Sequence, residues 1–288
     1  MGEAIIPTSP TVKQKEGEVI AEKIMTSEDR FIIDTMVWSF SRLSSYHQCP
    51  YGFYLKYVEC NSGEPNFFAQ YGSFMHKILE MYAKEELSLF EISSYYEDHF
   101  HESVTCDAPS NKYVDIKQTY YDKGIEYLNN IDLLLDKYEI LGIEKEVRFI
   151  IGGYEMIGYI DLLLKDKETD EITVLDHKSA SIKFKKDGSV SKKDEEHVLN
   201  FKRQLYLYSK AVIEEYGIKP KYLSWNLFKD QNWLTVDFNE DEYEEAIKWA
   251  EDTVSLIEND TTWFPNPSRY FCWNICDMRN CACEYKPS

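Results

Sequence analysis

The stretch from Ile143 to Ala180, IEKEVRFIIGGYEMIGYIDLLLKDKETDEITVLDHKSA, constrains the fold more than any other part of the chain. It holds three runs of strand-type residues joined by two short turns, the pattern of consecutive antiparallel strands. Gly152-Gly153 marks the first turn, because a two-residue hairpin loop needs positive φ at its centre and glycine adopts it without steric cost. The polar segment Lys167–Asp170 marks a second, looser turn. A two-residue turn at Gly152-Gly153 sets Glu144 directly across from Asp161, and a turn over 167–170 sets Asp161 across from Asp176. Alternation then puts Asp176 and Lys178 on one face of the sheet and His177 on the other. Three acids and a lysine converge on one patch, with Glu146 the alternative to Glu144.

Around this segment the period is helical. Residues 41–58 read as a helix that Pro50 breaks near Cys49, and 69–86 keep apolar residues at helical spacing. Further helices are expected near 88–104, 112–136, 197–216 and 239–258, with two short strands, YLSWNLF and NWLTVDF, between the last two. The fold class is therefore α/β (α+β): a central mixed sheet flanked by helices, a helical N-terminal half and a C-terminal cysteine cluster. Residues 1–36 lack apolar periodicity through most of their length and are read as a mobile arm, residues 37–288 as one domain.

Clustered carboxylates repel one another unless a cation sits between them, and an oxygen-rich set of this kind suits Mg²⁺ or Mn²⁺. A lysine two residues past the second aspartate can polarise an attacking water or stabilise charge building on a phosphate. These acids lie inside apolar runs (YIDLLL, VLDHKSA) rather than on a polar face, which favours a site over a solvated surface. The overall charge argues the other way. Lys and Arg number 32 against 51 Asp and Glu, a net of −19, the wrong sign for a protein that coats nucleic acid by neutralising phosphates. A nucleic-acid role then needs a local basic path, such as the lysine-rich stretch Lys183–Lys193, or metal ions. No apolar run is long enough to span a membrane and the N-terminus has no signal-type core, so a cytoplasmic location is expected. Seven cysteines, four of them within Cys272–Cys283, speak against a disulfide framework and for metal binding.

The order Asp161, then Asp176-His177-Lys178, resembles the core of the PD-(D/E)xK nucleases. The flanking text resembles their RecB-like branch, which includes the AddB nuclease domain and CRISPR-associated iron–sulfur exonucleases. GSFMHKILE is similar to that branch's Gly-x-x-x-His helix, GYIDLLL to its Gly-x-Ile-Asp strand and QLYLY to its Gln-x-x-x-Tyr helix; SRLSSYHQCP with the terminal cysteines is similar to its split iron–sulfur motif. The resemblance spans residue 37 to the C-terminus.

The resemblance implies a restriction-endonuclease-like core and metal-dependent exonucleolytic cleavage of DNA, on single strands or duplex ends. Asp161, Asp176, the His177 carbonyl and His76 would hold the cation, Lys178 would assist the water and leaving charge, and Gln204 and Tyr208 would orient the lysine or contact DNA. Cys49, Cys272, Cys276 and Cys283 would ligate a 4Fe-4S cluster. The family's C-terminal spacing is Cys-x₂-Cys-x₅-Cys; here x₃ separates Cys272 from Cys276, Cys281 competes with Cys283, and zinc competes with iron–sulfur. With no Gly-x-x-x-x-Gly-Lys-Ser/Thr motif, a stand-alone or partner-assisted nuclease is expected, in phage or bacterial recombination, end processing or CRISPR adaptation. The rival is a catalytically idle relative that binds a protein and uses its cysteines for structure.

Overall fold

The structure, a computed structural model, describes residues 25–285 and Pro287. Ser27–Asp34 is a helix (α1) inside the span expected to be an arm. A capping box between Thr26 and Asp29 starts it, and its single deeply buried apolar residue, Ile33, anchors it. One anchor is too little to show as periodicity in the sequence. Residues 1–24 of the expected arm lie outside the described residues.

The predicted break at Cys49 is present. Helix α2 (Phe40–Gln48) ends where Cys49 turns extended, and α3 (Pro50–Phe53) restarts with proline at its first position, where a missing N–H costs nothing. A π-helical turn, Tyr54–Val58, follows. Three longer helices come next: α4 (Phe67–Ala83), α5 (Ile92–Ser103) and α6 (Ile116–Asn129), the last shorter than its pattern suggested because Asp115 caps it late.

The sheet comprises β1 (Tyr138–Ile151), β2 (Tyr154–Asp166), β3 (Ile172–His177), β4 (Tyr222–Leu227) and β5 (Asn232–Asp237), in that spatial order. Only β3 and β4 pair in parallel, through the crossover helix α7 (Glu195–Tyr216); the sheet is mixed. Helices α8 (Glu240–Asn259) and α9 (Arg269–Asn274) follow, before a C-terminal segment that carries Cys276, Cys281 and Cys283. Ile151 pairs with Tyr154 across the glycine turn, and Ile143 and Lys145 face Leu162 and Ile160, so Glu144 falls across from Asp161 as expected. Leu162 pairs with Leu175, which carries Asp161 to the level of Asp176.

Two apolar cores sandwich the sheet. Leu163 and Val174 join Leu205, Val212, Ala246 and Val254 under α7 and α8. Leu162, Leu164 and Leu175 join Phe74, Ile78, Tyr96 and Leu128 under α4, α5 and α6. Neighbouring strand residues thus enter opposite cores, which locks the register: a one-residue slip would turn both sets to the wrong face.

Candidate active site

The acids meet between α4 and the middle strands. Asp161 and Asp176 are 8% and 3% exposed, and donor atoms of His76, Glu144 and Asp161 all lie within 4.8 Å of one another. Glu144 reaches this point through a left-handed backbone, φ 45°, in the middle of β1. That conformation costs a non-glycine residue about 1–2 kcal/mol, a strain that persists only where surrounding structure enforces it. Glu146, the alternative, points elsewhere and engages Arg148 and the Tyr159 hydroxyl.

Electrostatics here oppose ionisation. Burial, then the neighbouring Asp176 charge, pushes the Asp161 carboxyl well above the usual range, against the His177 N–H that it accepts at 2.6 Å. Burial and the Asp161 charge push Glu144 up to about 7. His76 Nε2 sits 2.8 Å from the His177 carbonyl oxygen, so that nitrogen carries the proton. Its Nδ1 lone pair then faces Asp161 Oδ2 at 3.4 Å. Two acceptors directed at one space, beside two more carboxylates, are what a hard divalent cation requires, and this donor set fits Mg²⁺ or Mn²⁺. Burial holds His76 below its ordinary pKa, keeping it the neutral ligand form.

Lys178 stands at the rim. Its Nζ lies 2.8 Å from Asp176 Oδ2 and donates to Gln204 Oε1 at 2.9 Å, while Gln204 Nε2 donates to Asp176 Oδ1 at 3.1 Å. Gln204 is therefore a bracket across the Asp176–Lys178 pair. Tyr208, one turn on, accepts from Gln204 at 3.4 Å, and its ring covers Gly158: a Cβ there would come 2.2 Å from a ring carbon. The glycine of Gly-x-Ile-Asp and the tyrosine of Gln-x-x-x-Tyr are two halves of one packing contact. The five lysines of the 183–193 loop are exposed.

Sequence reasoning missed Asn226. It pairs with His177 across β3 and β4, accepts the Lys178 N–H at 2.9 Å and donates to His177 Nδ1 at 3.0 Å, while Tyr127 OH lies 2.6 Å from the same amide nitrogen. This contact pins the buried His177 ring and hence the residue whose N–H serves Asp161 and whose carbonyl serves His76. No local motif marks it, because the pairing joins strands 49 residues apart.

The cysteines gather at the other end of α2. Cys49 Sγ accepts from Gly52 and Asn266 N–H groups at 3.4 Å each. Burial, with smaller contributions from nearby Cys283 and Cys49, raises the Cys276 thiol to about 11. Cys272 is buried one helical turn earlier, and Cys281 is exposed and bonded to the Asp277 carbonyl. Cys49, Cys276 and Cys283 are near enough for the thiols of the other two to bear on that of Cys276, a grouping that suits a metal that takes thiolates.

A mixed sheet presents two facing aspartates, with a lysine just past the second. The chain belongs to the PD-(D/E)XK nuclease superfamily, whose model matches residues 37–286. It is also 30% identical over 172 residues to the uncharacterized protein RT0391 of Rickettsia typhi, covering 52% of this chain and 19% of that protein, so the match spans about a fifth of that relative. Among solved structures, a Eubacterium rectale protein described as an exonuclease candidate aligns over 92% of this chain and 96% of its own, at 12% identity and a TM-score of 0.49. That distance carries no argument about activity. Among the described residues no helix is long and apolar enough to cross a membrane.

Proposed function

We propose that this nuclease-superfamily chain is a metal-dependent deoxyribonuclease that trims DNA from an end, acting in the cytoplasm in recombination, end processing or CRISPR adaptation. The observation that carries the reading is the Lys178 Nζ, fixed by Asp176 and Gln204 at the rim of a buried cluster of three carboxylates in which, among the described residues, it is the one ammonium paired with an acid. His76, Glu144, Asp161 and Asp176 would hold the cation, with the His177 carbonyl offering its remaining lone pair. The bound cation would supply Lewis acidity toward a phosphate and a water of lowered pKa. Lys178 would orient that water and hold a proton at Nζ beside the developing charge, and the bracket of Gln204 keeps the ammonium from drifting to solvent.

The same reading assigns a 4Fe-4S cluster to Cys49, Cys272, Cys276 and Cys283. Brown protein with visible absorbance and about four iron per chain is expected; colourless protein with one zinc would keep the staple and discard the iron.

One observation favours the idle-relative reading, the net charge of −19. Cleavage of end-labelled DNA with Mn²⁺, and its loss in Asp161→Asn, tests both at once. Wild-type protein that leaves the labelled DNA whole would overturn the nuclease.

A further inference from the structure

A cleft of about 830 Å³ runs from Lys178 and Gln204 along α2 to Cys49 and Cys276. One wall is the face formed by Ser41, Ser44, Ser45 and Gln48, which recur at i, i+3, i+4 and i+7. Their side chains make no hydrogen bond among the described residues. Some helical hydroxyls of the chain turn back on their helix, Ser209 to the Leu205 carbonyl and Thr253 to that of Trp249. The other polar residues of α2 are also engaged, Tyr46 with Asp260 and His47 with Thr253. Four uncommitted donors on one wall therefore face open space.

The cleft is poor in free cations. Lys56 is paired with Asp277 at 2.5 Å and Lys178 with Asp176 at 2.8 Å. The rings of Tyr57 and Phe271 lie in the lining. The volume is that of a site for one ligand of a few hundred daltons, room for about two nucleotides and too little for a duplex.

Building on the nuclease reading, we propose that this cleft holds the last nucleotides of a single DNA strand. Neutral donors of α2 bind its phosphates and sugars, and aromatic rings take its bases. Holding phosphates by hydroxyls and amides lets a chain of charge −19 bind nucleic acid without a basic surface. The signature is weak salt dependence. With at most two lysines released to phosphates, log K against log salt has a slope no steeper than about −1.4, whereas a track over the five-lysine loop would give about −3.5.

The test is fluorescence anisotropy of labelled oligothymidylate and of a blunt duplex with full-length wild-type protein, Ca²⁺ replacing Mn²⁺ to prevent cleavage. The expected result is a shallow slope, preference for the strand, and binding about tenfold weaker in Ser44→Ala/Ser45→Ala. In cleavage assays the double variant should raise KM and leave kcat unchanged; Ser41→Ala should do the same by about fivefold. Active protein with a steep slope, a duplex preference or serine variants that bind like wild type overturns the cleft. Wild-type protein that cleaves nothing with Mn²⁺, yet binds the strand with the shallow slope, overturns the nuclease reading and leaves the cleft standing.

Discussion

The acid centre, whose Lys178 and Gln204 border the cleft, and the cysteine wall at the cleft's other end are built by opposite means. Asp161 and Asp176 are neighbours because two antiparallel turns fix the register, and the register is enforced by the two apolar cores. The cysteine segment is held by long-range contacts between two loops: Glu64 N–H to the Asp277 carbonyl at 2.8 Å, Asn66 Nδ2 to the Ile275 carbonyl at 2.8 Å, and Arg279 Nη2 to the Pro65 carbonyl at 2.7 Å. The aspartate pair at the heart of the first is a local product of strand pairing. The second joins residues more than two hundred positions apart and closes only when the whole domain has folded, so the acid centre should be separable from stability and the cysteine wall should not.

The sharpest break of that contrast is at the acids and Lys178. Asp176→Asn or Lys178→Ala should lower cleavage of end-labelled DNA by about a thousandfold or more, with an unchanged circular-dichroism melt. A variant that loses its melt along with activity would place the acid centre among the structural elements.

Cys49→Ala should behave in the reverse way. Releasing a staple that closes so long a loop should cost about 5 kcal/mol of stability, seen as a lowered melting temperature and protease sensitivity at both chain ends, with loss of bound metal. Cys60→Ala should change neither, and Cys283→Ala should cost more metal than Cys281→Ala. Unchanged metal content in Cys49→Ala would end the split-cluster idea.

Gln204→Ala tests the bracket. Lys178 would keep Asp176 and lose its second anchor, so kcat should fall about tenfold while the Mn²⁺ concentration for half-maximal rate stays put. A shift in that concentration would move Gln204 from holding the lysine to shaping the metal site.

The smallest effect is a pH dependence of the metal-free protein. Glu144 has a folded pKa of about 7 against an ordinary 4.5, so between those values the folded state holds a proton that the unfolded chain has lost. Stability should fall as pH rises through that window, with the raised Asp161 carboxyl carrying the fall up to about 8, by a few degrees in melting temperature between about pH 5 and pH 8. Mn²⁺ should abolish the fall, and Glu144→Gln should reduce it to the part that the raised Asp161 carboxyl contributes; a flat profile in metal-free wild type would mean that both acids are solvated.

The order of β1, β2 and β3, both of their registers, the helix break at Pro50 and the convergence of Asp161, Asp176 and Lys178 were all legible from residues close in sequence. Turn glycines, alternation and proline geometry act over a few residues and leave few alternatives. Tertiary structure decided the rest. Helix α1 rests on the single buried Ile33, too little to leave a pattern in its segment. Glu144 enters the site through a left-handed residue that no strand pattern announces. Asn226 reaches His177 across a parallel pairing made by the α7 crossover, and Gly158 is explained only by the Tyr208 ring above it. The serine face of α2 looks like an ordinary solvated stripe until the C-terminal segment folds opposite it and makes a cleft. Each of these depends on where a distant segment packs, and packing is set by the whole core at once rather than by any window of sequence.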